Sequence, residues 1–255
     1  MRIARFSAGD EVSFGVVEGE EIAAIAGHPF LGEVRFTGKR HPLLDVRLLA
    51  PILPSKVIAI GKNYLGHVRE MGGEPPAEPL IFSKPSTSII GPGEAIRYPD
   101  KLSRQVDFEG ELAVVIGRLC REVPLSRAKE VIFGYTCAND VTARDLQKRD
   151  GQWTRAKGFD TFCPLGPWIS TDLDAADLEI TTSVNGEVKQ HSRTSQLIHE
   201  IPELIAYVSQ VMTLLPGDVI LTGTPEGVGP LTIGDCVTVS VEGIGDLTNR
   251  VIARD

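Results

Sequence analysis

The sequence predicts a β-dominated α+β fold, with a small N-terminal β subdomain over residues 1–54 and a larger domain over residues 55–255. Three observations predict it. The first fifty residues alternate short apolar and polar runs, and most later apolar runs are only a few residues long and closed by glycine. Helical spacing is confined to a few segments, the longest running from Ile198 to Leu215.

The elements follow in chain order. Met1–Phe6, Ser13–Val17 and Glu21–Ala26 are separated by Gly9-Asp10 and Glu18-Gly19-Glu20, the pattern of an antiparallel meander. Pro51 and Pro54 mark a connector, which sets the boundary at residue 54. Lys56–Gly61 reads as a strand closed by glycine. Asn63 then stands where it would cap a short helix reaching Met71, stopped by Gly72-Gly73 and Pro75-Pro76. Such flanks suit a lid. Leu80–Lys84 is a further strand, and the apolar second half of Val106–Gly117 suits one buried on both faces. Ser126 is expected to cap a short helix, and Val131–Asp140 is a long apolar strand. In the helical turn after it Arg144 and Gln147 share a face. Gln152–Asp160 reads as a loop with Arg155 in solvent. Asn185-Gly186 marks a hairpin within residues 178–191, and Pro216-Gly217 ends the long helix. Val219–Thr222, Cys236–Val241 and Leu247–Ile252 complete the strands.

A net charge of −8 argues against nucleic acid or an anionic membrane as partner, since both select basic surfaces. No apolar window approaches a membrane span and no signal peptide is evident, so a cytoplasmic location is expected. Cys120, Cys137, Cys163 and Cys236 are scattered without metal or redox spacing, and Cys137 and Cys236 read as small core residues.

Glu109 and Glu111 are two apart at the entrance of an apolar strand and therefore share a face. Alone, such a pair is more often the wetted start of a strand. Asp140, delivered by the end of a second apolar strand, makes three carboxylates, an all-oxygen set suited to Mg²⁺ or Mn²⁺. His67 and Glu70, three apart on the short helix, share a face. The Thr222–Gly229 loop spells neither a Walker loop nor G-x-G-x-x-G, and no helix follows it. It offers close backbone approach at Gly223 and a hydroxyl at Thr224. No G-x-S-x-G is present, which weighs against a triad hydrolase. Trp153 and Phe159 flank Lys157 and are expected to shield it from water. A metal-stabilised binding module is the non-enzyme alternative.

Gly61-Lys62-Asn63-Tyr64, His67-x-x-Glu70, Phe82-x-Lys84-Pro85-Ser86, Glu109-x-Glu111, Asp140-x-Thr142-Ala143-Arg144-Asp145, Ala156-Lys157 and Thr222-Gly223-Thr224-Pro225-x-Gly227-Val228-Gly229 occur in that order. As an ordered set over residues 55–255 they resemble the fumarylacetoacetate hydrolase family, and residues 1–54 resemble the extension found on bacterial isomerase members. The resemblance implies a mixed β-roll, Mg²⁺ or Mn²⁺ on Glu109, Glu111 and Asp140, usually a homodimer, and a small 2-oxo acid or dicarboxylate as substrate. It further implies His67 and Glu70 as a base pair, Lys157 at the developing oxyanion, and Lys84, Arg144, Gln147, Gly223 and Thr224 as substrate contacts. One departure is Lys62, where many relatives carry arginine. The activity it favours is of the 2-hydroxyhepta-2,4-diene-1,7-dioate isomerase type, with acylpyruvate (fumarylpyruvate-type) C–C hydrolysis and oxaloacetate decarboxylation as alternatives.

Overall fold

The computed structural model describes residues 1–30 and 32–254. A twelve-stranded sheet forms the frame. Its centre is Gly110–Ile116, which pairs with Ile132–Asn139 on one side and Val219–Leu221 on the other. Every residue of that strand is buried. Leu112, Val114 and Ile116 enter one core cluster with Leu204, Ile205 and Val208 of the helix Ile201–Val211. Ala113 and Val115 face a second cluster with Val57, Ala59 and Leu221. Both faces are thus covered, as the unbroken apolar run requires, and each large side chain so buried contributes about 1.5–3 kcal/mol.

The N-terminal meander (Arg2–Ala8, Glu11–Glu18, Glu21–Ile25 and Phe36–Pro42) continues the same sheet, because Arg2 and Ile3 pair with Ser170 and Ile169. A five-stranded sheet includes the hairpin Glu179–Val184 and Glu187–Arg193. Its turn has φ of 52° at Asn185 and 82° at Gly186, the left-handed pair that an Asn-Gly turn supplies. A third sheet joins Val106–Phe108 to Thr142–Ala143 and Gly229–Pro230.

Several elements differ from the sequence expectation, each for a local reason. The long helix starts only after Glu200, where Glu200 and Glu203 form a capping box with Pro202 at the first turn. It ends at Met212, whose backbone is extended, so Leu214 can pair with Cys120. Asn63 caps nothing. Its amide donates to the carbonyls of His199 and Thr222, and its oxygen accepts the His199 N–H, while Tyr64 occupies the cap position of the helix Leu65–Glu70. Ser126 lies inside a 3-10 segment, Leu125–Val131, that begins at Pro124 without a side-chain cap. Gln152–Asp160 includes a single helical turn, Thr154–Lys157. Cys137 is buried, but Cys236 is half-buried at the start of its strand.

Candidate active site

The chain changes sheets at Glu109. Up to Phe108 it pairs in the three-stranded sheet, and from Gly110 it enters the large one. Two hydrogen bonds fix the crossing: the Glu109 N–H donates to Asn139 Oδ1 at 3.0 Å, and the Asp140 N–H donates to the Glu109 carbonyl at 2.8 Å. Residue 110 must be glycine, since a Cβ there would stand 1.9 Å from Thr182 Oγ1. This crossing brings the buried carboxylates of Glu109, Glu111 and Asp140 together, with one oxygen from each lying within 4.8 Å of the others.

Three cations surround them. The Lys157 ammonium donates to Glu109 Oε2 and Asp140 Oδ2, both at 2.7 Å. Arg144 donates to Asp107 at 2.8 Å, to Glu109 at 2.5 Å and to Gln147 at 2.7 Å. Lys84 donates to Asp140 Oδ1 at 2.5 Å and to the Val141 carbonyl at 3.3 Å. Burial pushes Glu109 up, but the charges of Lys157 and Arg144 outweigh it and hold that carboxyl far below the usual range. Burial likewise opposes the charge on Lys157, yet Asp140 and Glu109 raise its pKa overall. Glu111 has no such partner. Burial first, then Asp140 and Glu109, drive its pKa well upward, and the nearby charge of Lys157 and a short hydrogen bond of 2.6 Å from the Gly223 N–H only partly oppose them.

With Asp107 the cluster holds four buried carboxylates against three cations. A divalent cation fits this donor set: all ligand atoms are oxygens, and the carboxylate lacking a cationic partner is one of the three that converge. Glu109, Glu111 and Asp140 would hold it.

Above the cluster lies a cleft of about 70 Å³, whose lining includes His67, Met71, Phe82, Gln147 and Trp153. His67 is buried despite its place on a six-residue helix. Its Nδ1 lies 3.2 Å from Glu70 Oε2, and Glu70 Oε1 accepts the Gly227 N–H at 3.1 Å. One carboxylate thus ties the helix to the glycine-rich loop and orients the imidazole.

Of the residues expected to contact substrate, Arg144, Gln147 and Thr224 line the cleft and Lys84 and Gly223 do not. Lys84 stands behind Asp140, and the Gly223 amide is spent on Glu111. The Thr224 hydroxyl donates to the Gly110 carbonyl and accepts from Gln190 Nε2, so it also braces the crossing. Lys157 is shielded by Phe82, with its ammonium 5.0 Å from the ring centroid and Trp153 edge-on to that ring. Phe159 lies beyond the helical turn that ends at Lys157 and packs instead on Phe162 in another cluster. Asp107 escaped the sequence reading, although it extends the i, i+2 spacing of Glu109 and Glu111 by one step. Burial raises the thiol of Cys137 and pushes that of Cys163 up to about 12, which keeps both in the weakly nucleophilic protonated form.

Buried convergent carboxylates, an ammonium between them and a His–Glu pair beside the same cleft give this β-dominated protein a candidate active site. Residues 56–252 match the family model described as fumarylacetoacetate (FAA) hydrolase C-terminal, and residues 1–51 match one described as Rv2993c-like, N-terminal. The chain belongs to the fumarylacetoacetate hydrolase family. It is similar to the solved structure of 2-hydroxyhepta-2,4-diene-1,7-dioate isomerase from Mycobacterium marinum, with 55% identity and a TM-score of 0.93 over 100% of this chain and 99% of that one. It is 45% identical to the mitochondrial oxaloacetate tautomerase Fahd2a of Rattus norvegicus, covering 83% of this chain and 71% of the relative. Maleylpyruvate hydrolase from Sphingobium sp. SYK-6, solved with manganese(II) and pyruvate, is 36% identical with a TM-score of 0.83 over both whole chains.

Proposed function

We propose that the protein is a divalent-metal-dependent isomerase of small 2-oxo acids, moving a proton next to the carbonyl, of the 2-hydroxyhepta-2,4-diene-1,7-dioate isomerase type. The observation that carries this reading is the meeting of the Glu109, Glu111 and Asp140 carboxylates with Lys157 under a cleft that His67 also lines. Mg²⁺ or Mn²⁺ bound by the three carboxylates would act as a Lewis acid on the oxygens of the 2-oxo acid.

The chain's own groups supply the rest. His67 takes the proton from the carbon beside the carbonyl and returns it at another position. Glu70, on Nδ1, leaves Nε2 as the working nitrogen and stabilises the imidazolium that forms. The carbonyl oxygen becomes negative as the proton leaves, and the Lys157 ammonium meets that charge in a site shielded by Phe82. Arg144, held by Asp107, Glu109 and Gln147, fixes the side wall. The similarity to the isomerase and the tautomerase supports proton transfer as the reaction.

C–C hydrolysis of an acylpyruvate is the second reading, favoured by the similarity to maleylpyruvate hydrolase. It uses the same residues, with His67 acting on water. Turnover of enol-oxaloacetate, a hydroxydienedioate and a set of acylpyruvates, measured after EDTA and again after Mn²⁺ or Mg²⁺, tests both. Tautomerisation or isomerisation that is lost with EDTA and restored by the ion is the expected result. Full activity in EDTA, or no turnover of any 2-oxo acid, would overturn the proposal.

A further inference from the structure

Lys62 adopts a backbone conformation that its residue type disfavours. Its φ of 58° lies in the left-handed region, where glycine or asparagine would sit with less strain. The neighbours impose the turn. Gly61 ends a strand paired to Leu80 and lies under the Trp153 ring, which a Cβ at that position would meet at 2.8 Å. Asn63 is held on both sides by His199 and Thr222, and Tyr64 is buried and bridged to Leu197. Residue 62 alone joins these fixed points, and it carries a long cationic side chain.

That side chain lines the cleft, half-buried. Its ammonium rests over the turn that ends the helix carrying His67, 3.2 Å from where a Cβ would stand on Gly73. Among the described residues it has no carboxylate partner. The other cations at the site are committed: Arg144 to Asp107 and Glu109, Lys157 to Glu109 and Asp140, and Lys84 to Asp140. Ile60, Met71, Phe82 and Trp153 add an apolar wall to the same cleft. A ligand whose 2-oxo acid end sits over the carboxylate cluster therefore meets an apolar wall and one unpaired ammonium.

We propose that Lys62 is a specificity-determining residue that holds a second, distal carboxylate of the substrate, so that the enzyme selects dicarboxylic 2-oxo acids over monocarboxylic ones of equal length. This rests on the reading of the cluster as a 2-oxo acid site. It also explains why a strained lysine stands where a smaller residue would make the turn more easily.

The test compares 2-oxoglutarate with 2-oxovalerate, which differ only in a terminal carboxylate against a methyl, as calorimetric ligands of the Mn²⁺-loaded full chain. The wild type is expected to prefer 2-oxoglutarate by at least about tenfold, a difference of about 1.4 kcal/mol. Lys62→Met should bring the ratio close to one, and Lys62→Arg should retain most of it. Lys62→Gly should abolish the preference while keeping or raising Tm, because it relieves the left-handed strain. An unchanged ratio in Lys62→Met, an equal weakening of both ligands, or no preference in the wild type would overturn the inference. Failure of the wild type to bind either acid would instead remove the 2-oxo acid reading on which it rests.

Discussion

The Lys157 ammonium occupies oxygens that a divalent cation would also need. It bridges Glu109 Oε2 and Asp140 Oδ2, two of the three convergent carboxylates. Lys157→Met should therefore act in two opposite directions. Turnover should fall more than about tenfold, since charge stabilisation of the developing oxyanion is lost. Cation affinity should rise, because a like charge 2.7 Å from two ligand oxygens no longer opposes binding. The metal-free variant should also lose stability, by about 3–5 kcal/mol, as two buried carboxylates lose a partner. Steady-state kinetics, Mn²⁺ titration calorimetry and Tm in EDTA read the three effects separately, and weaker Mn²⁺ binding by the variant would contradict the argument. At this scale the sequence revealed the acidic cluster well, because i, i+2 spacing and strand ends are local properties. It could not reveal which cation meets which carboxylate. Lys84 and Gly223 lie behind Asp140 and Glu111 only because four separate segments converge there.

The helix that carries His67 has too few residues to be stable alone. Leu65–Glu70 is held by buried Val68, by the Tyr64 bridge to Leu197, and by Glu70, which ties His67 to the Gly227 amide. Glu226 adds a steric latch, since its carboxylate packs where any side chain on Gly66 would stand. Glu70→Ala should loosen the whole element rather than one ring. Amide exchange over residues 65–73 should accelerate by at least about tenfold, and kcat should fall, while Mn²⁺ affinity holds because no ligand has moved. Exchange by mass spectrometry, with and without Mn²⁺ and oxalate, checks this. Unchanged exchange with lowered kcat would mean that Glu70 only orients the imidazole. The existence of this helix was legible from Gly72-Gly73 and Pro75-Pro76, but its start was not. Asn63 has the side chain of a cap and uses it on His199 and Thr222, distant in sequence and adjacent only in the fold. The Ile198–Leu215 spacing misled in the same way: Met212 keeps helical periodicity yet is extended, and Leu214 beyond it is taken by a bridge to Cys120.

For the whole molecule, the informative join is between the N-terminal meander and the catalytic part. Alternating patterns and Pro51 and Pro54 made the meander readable, but nothing local showed that its first strand would extend the central sheet through Arg2 and Ile3 against Ser170 and Ile169. Phe6 and Ile22 lie in a small cluster that Trp168 packs against from that same strand, Cys163–Ser170. We propose a boundary near residue 54, and every residue lining the cleft lies beyond it. Removal of residues 1–54 should therefore damage the fold rather than the chemistry. It uncovers a buried strand as a sheet edge, and such an edge templates pairing with other chains. The truncated protein should show a Tm at least about 10 °C lower, or concentration-dependent aggregation. Its remaining soluble fraction should keep the wild-type KM, because KM reports the untouched cleft. Thermal scanning and light scattering with kinetics on the soluble fraction decide the point. A truncated chain with wild-type Tm and no aggregation would show that the Cys163–Ser170 edge needs no cover. A normal Tm with a raised KM would instead give the meander a part in binding substrate.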